Sequence, residues 1–424
     1  MSKAMHKGEM SGRYLLSVVV PTRNRQKYAL GLIEQIANFP NSNDAIQIVV
    51  TDNSDNDSLR DEVEKVAGKR NVKYLYIAER IPGVDNYAKA IELSEGEYVC
   101  CVGDDDAILP DLLMIAEWAL GNGVDAVKFG AQASYVWPSA ANGYMSSRLS
   151  LNRFSTSVSV VNVEDELISF LRSGCLDLPS AKIPKAYHGL VRRRLFDEIF
   201  KRTGRYCGGL SPDIYLSVSL ALLLDNLICI DVPLTIFGAC RQSTTGDSLN
   251  KTNVGRLEDA PHFVGQEYEW DELVPRYYCG ANIWADSAMH ALVDMGRADL
   301  KKHFSVEHIA AYGLAENPRY SDAIKACLSS CQCDGRKVRK LVLSMRKRRR
   351  IRFIKDVLKN NSSIAKPFYR VRSAIRERKG DDRYVASGVC SAAEAANIVH
   401  ERIMDCIPRI ISALDLRVSD NGER

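Results

Sequence analysis

Long apolar runs are missing from this 424-residue chain. A membrane-spanning helix takes about 18 or more apolar residues, and the longest stretches, Leu15 to Val20 and Tyr215 to Leu224, are much shorter. The first fourteen residues, Met1 to Tyr14, are polar and of mixed charge. They lack the apolar core of a secretion signal, so a cytoplasmic protein is expected, with residues 1–12 as a disordered tail. No internal repeat appears, which excludes a solenoid or propeller. Aromatic residues are sparse at 8%. Cysteine is not scarce, with twelve residues, but it lacks pattern. Cys100, Cys101, Cys229 and Cys240 sit inside apolar runs and read as small buried hydrophobes in a reducing compartment. The cluster Cys327, Cys331, Cys333 has no second half at ligand spacing, so it does not read as a structural zinc site.

Acidic residues are almost absent from one region. Arg336 to Lys379 holds 18 Lys/Arg against two acids, a local charge of +16 in a chain of net +4, which leaves −12 for the remainder. Apolar residues at Val338, Leu341, Val342, Met345, Ile351, Ile354 and Leu358 recur at helical spacing through the first part of this run. A basic amphipathic helix suits an anionic membrane surface, each Lys/Arg near the bilayer adding about 1 kcal/mol. Residues 336–379 are therefore expected to meet such a surface peripherally. The bland alternative is a solvated helical hairpin packed on the body. Nucleic acid is not expected, because only Phe353, Phe368 and Tyr369 interleave the basic run and provide no stacking platform. Ser391 to Leu416 is apolar enough for a helix pair around Pro408, serving packing or oligomerisation.

Strand and helix signals alternate through the first third. Leu15 to Val20, Ile46 to Thr51, Val72 to Ile77, Tyr98 to Val102 and Asp125 to Gly130 read as strands. Helical patterns over Arg25–Phe39, Leu59–Ala67, Asp85–Ser94 and Pro110–Leu120 separate them. Such a succession predicts an α/β fold with a mostly parallel sheet and helices on both faces. Ligands of these sheets bind beyond the carboxyl ends of the strands, and there the polar clusters fall: Thr22-Arg-Asn-Arg25, Asp52-Asn-Ser54 and Asp104-Asp-Asp106. From Ala131 to Asn162 the pattern weakens. Helices are expected again over Val163–Ser173, Arg194–Lys201 and Ser211–Leu224, and strands over Leu227–Val232 and Leu234–Phe237.

Three adjacent carboxylates after a buried strand repel one another, and a divalent cation relieves that repulsion most simply. A hard cation with open positions then holds a diphosphate and neutralises charge as it leaves. An acidic loop capping the next helix is the plainer reading of the same residues.

The segment Leu16 to Trp118 resembles the catalytic domain of a family 2 glycosyltransferase, the bacterial-type, inverting enzymes of GT-A (nucleotide-diphospho-sugar transferase) fold. The resemblance lies in Ser17-Val-Val-Val-Pro-Thr-Arg-Asn-Arg25, Val49-Val-Thr-Asp-Asn-Ser54, Gly96-Glu-Tyr-Val99, and Gly103-Asp-Asp-Asp106 followed by Pro110. It implies a Rossmann-like mixed sheet, here with a C-terminal helical extension, and transfer of a sugar from a nucleotide-diphosphate donor to an acceptor hydroxyl with inversion, in cell-surface polysaccharide or glycolipid assembly. Gly103 takes the place of the first aspartate of the family's Asp-x-Asp signature. By the resemblance Asp104 lies near the ribose and Asp105 on Mg²⁺ or Mn²⁺, with Asp106 an outer or alternative ligand. Pro21, Thr22 and Arg25 line the nucleotide pocket, Arg80 contacts the nucleotide, and Asp52 accepts from the base, which favours a UDP-sugar. The base that deprotonates the acceptor hydroxyl falls on Asp213, in Gly208-Gly-Leu-Ser-Pro-Asp213. Arg241 is a candidate diphosphate contact and His188 a candidate on the acceptor side, for a glycan or lipid-linked acceptor.

The expected organisation is thus a catalytic domain over 13–245, a helical extension over 246–334 and a basic helical region over 335–424. Two other readings stand beside the transferase. A sugar nucleotidyltransferase also uses a parallel sheet and carboxylate-bound metal, but it carries a Gly-rich phosphate loop after the first strand, and Pro21 to Arg25 has no glycine. A non-catalytic relative that binds a nucleotide sugar is the other.

Overall fold

The computed structural model describes residues 13–40, 45–67, 71–138, 140, 146–178, 180–243, 254–258, 268–360 and 383–422. The tail at 1–12, the boundary near 245 and the second part of the basic run lie outside the described residues.

The β-branched run that opens the sequence becomes β1 (Tyr14–Thr22), buried along almost its whole length. It lies between β2 (Ile46–Asp52) and β4 (Gly96–Cys101), parallel to both, and β3 (Asn71–Tyr76) extends the sheet on the far side of β2. Val19, Val49, Val99 and Cys101 point into one core, and Val18, Val20, Ile48, Val50 and Cys100 into the other. Burial on both faces is why these strands read as continuous apolar runs rather than alternating ones. Helices α1 (Gln26–Ala37), α2 (Arg60–Ala67), α3 (Gly83–Glu92) and α4 (Leu112–Gly121) connect and follow them.

Beyond β4 the sheet stops being parallel. A four-residue strand, β10 (Gly189–Arg192), wedges antiparallel between β4 and β6 (Ala126–Phe129). It is anchored by Arg192 Nε donating to Glu97 Oε1 at 2.7 Å. Four residues are too few to show a period, so the sequence pattern gives no sign of it. The full order is β3-β2-β1-β4-β10-β6-β11-β9, with β11 at Asn226–Ile230 and β9 at Val158–Asn162. The weakly patterned stretch after Ala131 supplies β7 (Ala133–Val136), β8 (Arg148–Leu151) and β9. A second, five-stranded sheet runs β15-β8-β7-β12-β5, with β5 at Ala107–Ile108, β12 at Thr235–Ala239 and β15 at Tyr384–Ser387.

The C-terminal segment therefore returns to the first part of the chain. After β15, the helices at Ala392–Ile403 and Ile407–Gly422 bury Val399, Ile403, Ile407, Ile410 and Leu414 in the same core as β1 and α1. Polar ties seal the contact: Trp118 Nε1 donates to Asp415 Oδ1 at 2.8 Å, and His400 Nδ1 lies 2.6 Å from Asp111 Oδ2.

On the other face, α7 (Pro212–Ala221) packs against the helix Gly280–Asp294, which fixes the loop ahead of α7. Ser287 Oγ accepts from the backbone N–H of Leu210 at 3.1 Å and of Ser211 at 2.9 Å. Tyr215 donates to Asp294 Oδ2 at 2.7 Å.

The basic run begins in a helix over Gly335–Asn360. Its apolar stripe turns inward: Val338 and Val342 are buried against Ala311 of the helix Val306–Glu316, with Leu341 and Met345 alongside. Lys337 pairs with Glu307 at 3.1 Å and Arg349 with Glu316 at 3.6 Å. Val338, Leu341, Val342 and Met345, expected to enter a bilayer, are thus used for helix packing, while Leu343 and Ile351 stay exposed among the charges. No helix among the described residues is long and apolar enough to cross a membrane.

Ile403 is fully buried, and removing its side chain leaves a cavity between the C-terminal helices and α1. Ile403→Ala is expected to cost about 2–4 kcal/mol of unfolding free energy in urea. A loss below about 1 kcal/mol contradicts the packing of this segment into the core.

Candidate active site

The chain leaves β1 at Thr22, β2 at Asp52 and β4 at Cys101, and all three exits lie at one edge of the sheet because the strands are parallel and in register. Thr22 Oγ1 donates to Asp104 Oδ2 at 2.5 Å, and Arg25 Nη2 lies 2.9 Å from Asp104 Oδ1. Arg25 Nη1 also reaches Asp105 Oδ1 at 3.4 Å. Burial alone would lower the guanidinium pKa, but Asp104 and then Asp105 outweigh it and raise it, so Arg25 stays charged. Asp104 is completely buried. Burial pushes its carboxyl up to about 7, against the opposing pull of Arg25 and the Thr22 hydroxyl.

Asp106 has the opposite balance. Its Oδ2 accepts from Gly103 N–H at 2.6 Å and Tyr187 O–H at 2.7 Å and lies 2.9 Å from His188 Nε2. Its Oδ1 accepts from Gly238 N–H at 2.6 Å. Burial raises its pKa, yet His188 and these donors together leave it below the ordinary aspartate value. Gly238 is required by contact: a Cβ there would stand 1.8 Å from the Asp105 carbonyl oxygen.

Asp105 is held by its surroundings on one side. Cys240 N–H donates to Oδ2 at 2.8 Å, and Trp137 Nε1 donates to the Asp105 carbonyl at 2.8 Å. Trp137, Gly238, Cys240 and Tyr187 were themselves given no part in the site by sequence reasoning, although His188 and Arg241, next to two of them, were. All are at least 30 residues away in sequence, and nothing local marks them.

Asp52 is buried at the end of β2. Ser54 N–H and its hydroxyl donate to Oδ1, the former at 2.9 Å, and Tyr74 O–H donates to Oδ2 at 3.0 Å. Both oxygens thus have partners, one set in the turn and the other on β3. Neighbouring Asn53 ties down the loop after β3, its amide donating to the carbonyls of Ile77 at 2.8 Å and Glu79 at 2.7 Å. Arg80 stands exposed on that loop, Pro21 is half-buried in β1, and Arg241 is exposed just past the Cys240 contact.

Asp213 is half-buried in the first turn of α7, with Pro212 before it. The helix N-terminus favours a carboxylate, but burial dominates and pushes Asp213 up to about 6, with His188 and Lys185 pulling down and Asp106 pushing up. Asp213 is thereby in electrostatic contact with the Asp106–His188 pair. His188 is buried, adopts φ +57, and stacks on Phe237 with ring centroids 3.7 Å apart. A non-glycine residue in the left-handed region costs on the order of 1 kcal/mol, and contacts on both sides hold it there.

Whether a divalent cation suits this loop depends on which carboxylate oxygens are already taken. Asp106 is fully engaged by protein groups. Asp105 Oδ1 has only the long Arg25 contact, and buried Asp104 Oδ1, though beside Arg25, has no well-aligned hydrogen bond. Among the described residues no three His, Cys, Asp or Glu side chains form a cage for an ion. A magnesium-type ion needs only one or two carboxylates when phosphates complete its shell, and Asp104 and Asp105 meet that requirement.

The raised carboxyl of Asp104 makes a sign-definite prediction. An unfolded aspartate ionises near pH 3.9, so from there to about 7 the folded state binds more protons at Asp104, and its contribution to stability falls as pH rises. Asp104→Asn removes this term. Measured by urea midpoint in metal-free buffer, the variant's stability relative to the parent is expected to climb between about pH 5 and 7. A pH-independent difference contradicts the assignment.

The model of the family described as "Glycosyl transferase family 2" matches residues 17–145. Over 113 residues the chain is 29% identical to the abequosyltransferase RfbV of Salmonella typhimurium; the aligned stretch spans 26% of this chain and 34% of that protein's length. Among solved structures, S. aureus TarS 1–349 in complex with UDP-GlcNAc aligns at TM-score 0.42 and 16% identity, covering 78% of this chain and 91% of that one. The mannosyltransferase PcManGT of Pyrobaculum calidifontis, in complex with GDP-Man and Mn²⁺, aligns at TM-score 0.37 and 14% identity, covering 83% and 88%. The segment matched by the family model holds Thr22, Arg25, Asp52 and the Asp104–Asp106 loop, so the similarity to glycosyl transferase family 2 falls on the part of the chain that carries the site.

Proposed function

We propose that this protein is an inverting glycosyltransferase that moves a sugar from a nucleotide-diphosphate donor to an acceptor hydroxyl. The observation that carries the reading is the Asp104–Asp106 loop drawn together with Thr22 and Arg25 at the sheet's rim, with Asp213 at the start of α7, whose Ile214 and Tyr215 pack in one core with Cys101 and Ala186 beside that loop.

In this reading the catalytic unit is 13–245, buttressed by the helical part of 246–334. Pro21, Thr22 and Arg25 border the nucleotide, with Asp104 toward its ribose and Arg80 and Asp52 toward its base. The base contact at Asp52 favours uracil, whose imide N–H it would accept. Asp105, with Asp104 beside it, would hold Mg²⁺ or Mn²⁺, which neutralises charge on the departing diphosphate. Asp106 serves behind them as the tether of the loop. Arg25 neutralises Asp104 and Asp105 and is free to turn toward phosphate oxygens when a cation takes over that task. Arg241 would approach the diphosphate from β12. Asp213 takes the proton of the attacking hydroxyl; a carboxyl raised to about 6 is a stronger base than an ordinary aspartate yet ionised at neutral pH. His188 steadies Asp213 from the acceptor side. The match to an abequosyltransferase favours a role in cell-surface polysaccharide assembly, with a glycan or lipid-linked acceptor. The positive charge of residues 336–379 would then bring the enzyme to the inner face of the membrane in a salt-dependent way.

Two measurements test this. A thermal-shift screen of nucleotide sugars is expected to find a donor that stabilises the protein with Mn²⁺ and much less without it. Stabilisation by no donor under either condition overturns the reading. Asp213→Asn is expected to lower kcat by about 10² or more while donor affinity stays within about twofold. In the parent enzyme kcat rises with pH through about 6, the range set by Asp213. Undiminished turnover in the variant rules Asp213 out as the base.

A further inference from the structure

One strand of the central sheet carries a charge where its neighbours are apolar. Lys128 lies in the middle of Ala126-Val-Lys-Phe129 and is only 5% exposed. Its residue faces the same side as Ala126, toward the core that holds α7 and α5 (Val163–Arg172). Lys185, half-buried, is carried beside it by the next strand, because Gly189, against which the Lys185 carbonyl folds, is the register partner of Lys128. Among the described residues neither amine has a carboxylate within ion-pair distance. The charged groups that reach Lys128 are Lys182, Glu166 and Asp231, the Cys229 thiol nearby being kept neutral by burial; those that reach Lys185 are Lys128 and Asp213. Asp231 is itself engaged by Ser155 Oγ at 2.7 Å. Burial, then Lys128, brings Lys185 down to about 8. Burial lowers Lys128 as well. Two ammonium groups sharing partly desolvated space without a counter-ion are costly to keep charged.

The backbone explains how Lys185 comes to stand there. The chain doubles back between Lys185 and Gly189 so tightly that a Cβ on Gly189 would lie 2.1 Å from the Lys185 carbonyl oxygen. That turn also carries Tyr187 and His188 onto Asp106. One short segment thus presents His188 and Lys185, and its Ile183 and Ala186 pack in one core with Ile214 and Tyr215, the residues that follow Asp213.

We propose that Lys128 and Lys185 form an anion subsite beside Asp213 that takes a negatively charged oxygen group of the acceptor, a phosphate ester or a carboxylate. The anchored acceptor presents its hydroxyl to Asp213. This rests on the reading of Asp213 as the base, and it makes the acceptor a charged molecule rather than a neutral sugar.

The test uses the full chain with its nucleotide site filled by a saturating nucleoside diphosphate. Glucose 1-phosphate, glucuronate and neutral glucose are the probes, with potassium chloride at matched ionic strength as the control. Acylation of Lys185 by an N-hydroxysuccinimide acetate is followed by mass spectrometry, and binding by calorimetry. At least one anionic probe is expected to slow acylation about fivefold or more, glucose and chloride leaving it unchanged. Protection by glucose 1-phosphate alone assigns a phosphate, and by glucuronate alone a carboxylate. Affinity for the protecting anion is expected to fall about tenfold or more in Lys185→Gln and in Lys128→Met and to survive in Lys185→Arg, with nucleoside diphosphate affinity unchanged in all three. Absence of protection by both anions, or anion affinity unaltered in Lys185→Gln, overturns the subsite. If protection holds while Asp213→Asn keeps its turnover, the base assignment fails and the anion site stands.

Discussion

The site is organised around one buried carboxylate. Asp106 gathers the N–H of Gly103 from its own loop, the N–H of Gly238 from the second sheet, and the Tyr187 hydroxyl and His188 ring from the turn before β10. A carboxylate out of water needs all its lone pairs satisfied, so these three segments are fixed relative to one another. The consequence passes along the chain in both directions. Asp105, one residue earlier, is set against Cys240, and Asp104 against Thr22 and Arg25. The same turn holds His188 and Lys185, and its Ala186 shares a core with Ile214 and Tyr215 next to Asp213.

Charge is divided among the neighbouring aspartates by environment rather than by chemistry. Asp106, with four protein partners, is held below the ordinary range, whereas Asp104 and Asp213, with fewer, are pushed up to about 7 and about 6. Groups whose pKa values are driven apart within one cleft can take different tasks. Here one aspartate is locked as a structural anion, while the other two hold their protons up toward neutral pH.

Much of the first sheet was legible because β1, β2 and β4 are buried on both faces, and burial writes itself as unbroken β-branched runs. The polar exits at Thr22, Asp52 and Asp104 were legible for a related reason: charge after an apolar strand has few structural uses. The rest depends on contacts between distant residues. Gly238 and Cys240 approach the carboxylate loop from more than 130 positions away, and neither residue type announces a site. Strand β10 is four residues long, and β15 reaches β8 across more than 200 residues. The stripe of Val338 and Val342 shows the converse limit: spacing revealed a helix with an apolar side, but not that another helix, rather than lipid, covers it. One signal was present and unread, the lone Lys128 inside an otherwise apolar strand.

The most direct measurement is the anomalous scattering of Mn²⁺ in crystals grown with the ion and the nucleoside diphosphate of the best donor. The account predicts a single strong peak within about 2.0–2.4 Å of an Asp105 oxygen, bridged to phosphate and facing Asp213. Nucleotide density with its phosphates elsewhere, or an ion that avoids Asp104 and Asp105, would contradict it.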